Sequence, residues 1–257
     1  MTDPYVYKDT NILINRLNIK DNEMLMKAEK EFTTIRMKQI IDNEDGKLIK
    51  GNYDYEHLKS FHKYIFQDIY EWAGQKRTIN IEKSEIALNG IDFKYSPVDN
   101  IEEEIIISLK ELNKTKWDKL SLDERVTKFT ALLSNVWKAH AFREGNTRTT
   151  IMFFIKAANK MNIPLKHEIL TDNSEYLRKA LVASSYEDKE IGVSRNFTYL
   201  NLIIKDSFES YEQNAPNRKT LEDLNNDVNE SRTNKHISLT AKKDKVKNNK
   251  EVSGKVR

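Results

Sequence analysis

The sequence predicts a mainly α-helical domain that carries one small β-hairpin and is followed by a disordered tail. Three observations predict it. Helical periodicity recurs in successive stretches up to about residue 211, one internal segment alternates apolar and polar residues around an Asn-Gly pair, and from about Asn214 the aromatics vanish while Asn, Lys, Glu and Ser take over. The chain has 257 residues, 38% hydrophobic and 32% charged, enough for one sizeable core with an appendage. With no cysteine, disulfides and thiolate zinc sites are excluded. The opening MTDPYVYKDT has no basic region followed by an apolar run, and no apolar stretch approaches the roughly 18 residues of a membrane span. A soluble, cytoplasmic protein is expected, or one exported into another cell as an effector, with no membrane partner.

The elements follow in order. Residues 22 to 41 place Met24, Leu25, Ala28, Phe32, Ile35 and Ile40 on one stripe, and residues 55 to 71 do the same with Leu58, Phe61, Ile65, Phe66 and Ile69. Residues 77 to 95 (RTINIEKSEIALNGIDFKY) alternate at TINI and set Asn89-Gly90 between Ile86/Leu88 and Ile91/Phe93, a strong hairpin signal. Asp99 with Glu102, and Ser121 with Glu124, read as capping boxes that open two further helices. The apolar run TTIMFFIKAANKMN continues as a buried helix until Pro164, and helices are expected from about Asn173 and over 196 to 211. The net charge of +3 is uneven: residues 235 to 257 hold eight Lys/Arg against two Asp/Glu, +6, which leaves 3 − 6 = −3 for the remainder. The body therefore has no basic surplus for nucleic acid, and only the tail could touch one.

Between two helices lies HAFREGNTR, residues 140 to 148. His140 closes one helix, and Gly145-Asn146 form a turn, where positive φ is expected, into a helix starting near Thr147. A helix start presents backbone N–H groups without acceptors, a ready anion site. Arg148 in the first turn adds a planar cation suited to two phosphate oxygens, and is electrostatically misplaced there unless an anion is near. Glu144 beside phosphates implies a divalent cation between them, and Mg²⁺ binds through one or two carboxylates plus phosphate oxygens. His140 can take a proton from an attacking hydroxyl at neutral pH. Phe142 reads as a core anchor. Singly, each residue has an ordinary explanation: a helix C-cap, a plain turn, an i,i+4 surface pair between Glu144 and Arg148. Together, in one turn, they point to phosphate chemistry. His57, His62, His167 and His236 are given no role, His167 being placed in a loop.

HAFREGNTR resembles the signature of the Fic family, H-x-F-x-D/E-G-N-x-R, at every fixed position. LKSFHKYIFQDIYEWAGQKRTINI, residues 58 to 81, resembles that family's helix, Trp-Ala-Gly turn and first flap strand, and the N-terminal YVYKDTNILINRLNIKD resembles the opening of bacterial members. The resemblance implies a Fic-type helical bundle over residues 1–210, with its core about 53–200, and leaves residues 211–257 as a polar, basic tail. It also implies transfer of AMP from ATP to a Tyr, Ser or Thr hydroxyl of a target protein, with release of pyrophosphate. By position, His140 becomes the general base, Glu144 the Mg²⁺ ligand, Gly145 and Asn146 the anion cradle, and Arg148 the β/γ-phosphate clamp. Thr147 joins the ATP-binding set, and Lys83 and Ser84 in the hairpin are candidates to touch nucleotide or target. The hairpin becomes a flap on which a target segment can add as a strand.

Ala141 stands where many members have Pro, and Thr147 replaces a common Gly and could cap the next helix. Glu144-Gly145 favours AMP transfer over the phosphate transfer of the Doc-type kinases, which lack that pair. The family's inhibitory motif, Ser or Thr followed four residues later by Glu and then Gly or Asn, is absent: the only Glu before Gly or Asn is Glu144. A separate antitoxin-like protein is expected to supply the brake, or the chain is an unrestrained effector. The alternatives are a transferase of the same fold moving phosphate, UMP or phosphocholine, and a catalytically idle binding module.

Overall fold

A computed structural model describes residues 3–43, 47–88, 91–189 and 192–211. Eight α-helices and one two-stranded antiparallel sheet make up the described residues. Asp21 caps α1 (Asn22–Asp42) through the Met24 amide, and Asp54 caps α2 (Tyr55–Phe66) through the His57 amide. β1 (Glu82–Ser84) and β2 (Asp92–Lys94) form the hairpin, and α3 (Ile101–Lys114) leads to α4 (Leu122–Ala139). The Ser121/Glu124 capping box forms as expected. The one expected at Asp99 does not: Asn100 takes the cap position of α3 with no side-chain bond. After the turn of residues 140 to 145 come α5 (Asn146–Lys160), a short α6 (His167–Asp172) where a loop was expected, α7 (Ser174–Ser185) and α8 (Thr198–Tyr211).

Helix α4 is the centre of the bundle, packed against α3, α5, α7 and α8, while α5 also meets α1 and α2. Phe129 of α4 joins Phe154 of α5 and Phe208 of α8 edge to face, at 5.4 and 5.5 Å. No helix among the described residues is long and apolar enough to cross a membrane.

Two expectations need correction. Helix α1 buries Leu25, Thr33 and Ile40, whereas Met24 and Ile35 stay 62% and 57% exposed. Ion pairs turn it: Arg36 holds Asp68 through two bonds of 2.7 and 3.0 Å, and Glu29 faces Arg148. The hairpin exists with a different register. Glu82 pairs with Lys94, Lys83 with Phe93 and Ser84 with Asp92, so TINI precedes the first strand and Ile86–Leu88 form a 3₁₀ turn. Glu85 points inward and still donates its N–H to the Ile91 carbonyl at 3.3 Å, while the Leu88 N–H closes back on the Glu85 carbonyl at 2.8 Å and forms the turn. The Asn89-Gly90 turn and the 211–257 tail, apart from Tyr211, lie outside the described residues.

Candidate functional site

The turn between α4 and α5 is shaped by two left-handed residues. His140, at φ +50°, caps the C-terminus of α4, and Gly145, at φ +79°, caps the start of α5. Positive φ thus falls on His140 and Gly145, and Asn146 is already helical. Gly145 admits no side chain: a Cβ there would stand 2.1 Å from the Phe66 ring. Asn146 spends both ends of its side chain on the Phe142 backbone, accepting from its N–H at 2.9 Å and donating to its carbonyl at 2.7 Å. Its side chain is therefore a loop staple, and its backbone N–H is among the donors left for an anion. The first helical bond runs from the Thr149 N–H to the Gly145 carbonyl, 3.0 Å, so the amides of residues 146 to 148 are those a helix start leaves without helical acceptors.

Thr147 is not the helix cap. Its hydroxyl accepts from the Trp137 indole at 2.9 Å and lies 3.3 Å from the Arg178 guanidinium. Glu144 and Arg148 do not pair with each other. Glu144 faces Lys83 of β1 at 3.0 Å and accepts from the Gly145 N–H at 3.0 Å. Burial pushes its carboxyl up, but Lys83, the Gly145 N–H and Arg148 outweigh burial and hold the pKa at about 2. Ser84 alternates away from Lys83 along the strand and is exposed, so of the two hairpin candidates only Lys83 reaches the turn.

Arg148 lies over the Phe66 ring at 4.8 Å and is held from α1, by Glu29 at 2.5 Å and the Thr33 hydroxyl at 3.1 Å. Tyr70 donates to the other oxygen of Glu29. The anion that an arginine at a helix start calls for is thus present in the chain itself, and a carboxylate of this chain does reach Arg148 although no inhibitory motif is written in the sequence.

His140 is buried, and burial, reinforced by Lys83, holds its imidazole well below the ordinary value, so it is a neutral base at pH 7. Its carbonyl accepts from Arg77 at 2.7 Å. Arg77, fully buried, also donates to the carbonyls of Ile79 (2.5 Å), Ser96 and Ala139, which ties both stems of the hairpin to the end of α4.

His62, given no role from the sequence, is a structural centre of the turn. The Gly74 amide donates to its Nδ1 at 2.8 Å, so Nε2 carries the proton and donates to the Glu144 carbonyl at 3.0 Å. Its ring stacks on Phe142 at 3.9 Å, which makes Phe142 the anchor expected of it. The signal was in the spacing, since His62 falls on the Leu58, Phe61, Ile65, Phe66 stripe. Burial pushes its pKa to about 3, below the ordinary 6.5. The unfolded chain therefore takes the proton first, and stability is complete above pH 6.5 and falls as pH drops toward 3. The expected slope is about 1.4 kcal/mol per pH unit from this residue. Urea midpoints at pH 7.5 and 5.5 should show the loss, and His62→Asn should flatten it; an equal slope in that variant would refute the assignment.

The Fic/DOC family model matches residues 52–158. The chain is 33% identical over 155 residues to a probable protein adenylyltransferase, y4lH, of Sinorhizobium fredii, covering 59% of this chain and 72% of that protein. It is 28% identical over 200 residues to the protein adenylyltransferase VbhT of Bartonella schoenbuchensis, 76% of this chain but only 39% of that longer protein. Among solved structures, the N-terminal Fic domain of an effector from Bartonella sp. AR 15-3 superposes with a TM-score of 0.63 at 23% identity, over 81% of this chain and 92% of that one. The BepC protein of Bartonella tribocorum, solved with bound AMPPNP, gives 0.62 at 20% identity over 79% and 95%. At these identities the structural likeness bears on the fold.

Proposed function

The chain belongs to the Fic/DOC family, and from that premise we propose that it transfers AMP from ATP to a Tyr, Ser or Thr hydroxyl of a target protein, releasing pyrophosphate. The observation that carries the reading is the turn itself, which sets a buried neutral imidazole, an ionised carboxylate and an arginine-bearing helix start within nine residues. His140 takes the proton of the target hydroxyl as its oxygen attacks the α-phosphorus, and the bond to the pyrophosphate oxygen breaks. The amides of Asn146 to Arg148 receive phosphate oxygens, and Arg148, oriented by Glu29 and Thr33, keeps further N–H donors for them.

Glu144 fits a Mg²⁺ role. It is ionised, its side chain is 32% exposed, and the Lys83 ammonium already stands where a cation would sit. Bound there, Mg²⁺ would neutralise phosphate charge. The target is read as adding a strand to the hairpin, whose Glu82, Ser84, Asp92 and Lys94 are exposed. A separate antitoxin-like inhibitor remains part of the reading, and would meet an Arg148 already paired with Glu29. Residues 1–210 are taken as the catalytic domain, acting in the cytoplasm of its own cell or of a cell it is delivered into.

The purified chain is incubated with Mg²⁺ and a host lysate, with ATP labelled at the α-phosphate in one tube and at the γ-phosphate in another. Protein label from the α position only, abolished by a chelator, is the expected result. Label from the γ position would make it a kinase, and label from neither would overturn the reading.

A further inference from the structure

A catalytic imidazole is ordinarily oriented by an acceptor on the nitrogen that does not take the proton. His140 lacks that device: its Nδ1 is buried with no hydrogen-bond partner. Its ring is instead seated in a corner of two aromatic side chains. Tyr95, just after β2, stacks on it at 3.6 Å with planes 26° apart, and Trp137 of α4 meets it edge-on at 5.7 Å and 90°. Both walls are locked from behind by hydrogen bonds that converge on Arg178 of α7. The Tyr95 hydroxyl donates to Glu85 at 2.8 Å, and Arg178 holds both oxygens of that buried carboxylate at 2.8 and 3.1 Å. On the other side the Trp137 indole donates to the Thr147 hydroxyl, which Arg178 also approaches at 3.3 Å.

We propose that Tyr95 is the positioning residue for His140, and that Arg178, through Glu85 and Thr147, holds the two aromatic walls in the orientation the base requires. The proposal rests on the transferase reading for its kinetic consequence, though not for its geometry. Tyr95 makes no described contact with the residues of the phosphate-binding amides, so its loss should fall on turnover; Arg178 touches Thr147 among them, and its variant is therefore read by the His140 resonances. Thr147 gains a purpose that a glycine there could not serve, because its hydroxyl oxygen accepts from both Trp137 and Arg178.

The test uses the full chain and the variants Tyr95→Leu, Tyr95→Phe and Arg178→Ala, with two readouts. The first is kcat and KM for ATP in transfer of the α-label. The second is the chemical shift of the His140 ring protons in histidine-labelled protein, assigned with His140→Asn. Tyr95→Leu should lower kcat by about 10- to 100-fold with KM for ATP unchanged, and should move the His140 protons downfield as the ring current of the stack is lost. Tyr95→Phe, which keeps the face and loses the Glu85 bond through which Arg178 holds it, should fall between the wild type and Tyr95→Leu in both readouts. Arg178→Ala should shift the His140 resonances although it does not touch that ring. Unmoved His140 resonances in Tyr95→Leu and Arg178→Ala would overturn the proposal, as would a raised KM at unchanged kcat. A wild-type chain that transfers no α-label refutes the transferase reading, and the resonances still decide the positioning.

Discussion

Replacing His140 with alanine is expected to lower AMP transfer by about 10² to 10⁴-fold, the range that a positioned general base contributes. Nucleotide affinity should survive. The groups assigned to the phosphates are the amides of residues 146 to 148 and the Arg148 guanidinium, and their scaffold does not use the imidazole: Asn146 staples Phe142, Gly145 packs on Phe66, and Glu29 holds Arg148. Nor does the loop's backbone depend on the ring, since Arg77 binds the His140 carbonyl and not its side chain. Because burial keeps the imidazole deprotonated below its ordinary value, the wild-type rate should show no acid limb near pH 6.5. Incorporation of α-label and ATP titration by calorimetry check both halves. A variant that keeps transfer within about tenfold, or that no longer binds ATP, would remove His140 from the role of base.

What the sequence disclosed about this site was what is local in the chain. HAFREGNTR could be read as a turn with a base, a carboxylate and an anion-binding helix start because all of those parts lie within nine residues, and Ser121/Glu124 could be read as a cap because its two bonds close over three residues. The parts not legible are the partners that arrive from elsewhere. Glu29 is 119 residues from Arg148, and Lys83 is 61 from Glu144. No spacing announces either. The stripe on α1 misled for the same reason: Met24, Phe32 and Ile35 satisfy helical periodicity, but the facing of the helix is set by Glu29 and Arg36, whose ion pairs are made with α5 and with the turn after α2. The hairpin was legible as an alternating segment with a turn signal, and its register was not, because Ile86–Leu88 coil into a 3₁₀ turn whose inward Glu85 binds Tyr95 and Arg178, partners 10 and 93 residues away. His62, and with it the buried His57 four residues before Phe61, are misses that periodicity should have prevented.

Arg77 carries the largest expected effect on stability. Its guanidinium is fully buried, and the four hydrogen bonds it makes go to backbone carbonyls, those of Ala139 and His140 at the end of α4 and those of Ile79 and Ser96 on the two hairpin stems. A cation at a helix C-terminus is favoured by the exposed carbonyl dipoles, and although burial lowers its pKa to about 10, it stays protonated at neutral pH. Alanine would leave several buried acceptors without a donor at a cost of about 1–3 kcal/mol each, so a loss of at least about 3 kcal/mol is expected. For a domain of this size that corresponds to a fall in Tm of about 6–12 °C. Lysine is not a remedy: a point charge with three donors cannot reproduce a planar fork that spans four carbonyls. Arg77→Lys should therefore also unfold at lower urea. At temperatures where it remains folded it should still lose turnover, because the carbonyl released is that of His140, whose left-handed backbone Arg77 holds in place. An unchanged urea midpoint in Arg77→Lys would mean that the hairpin stems and the end of α4 hold together without it, and that the base is fixed by its aromatic walls alone.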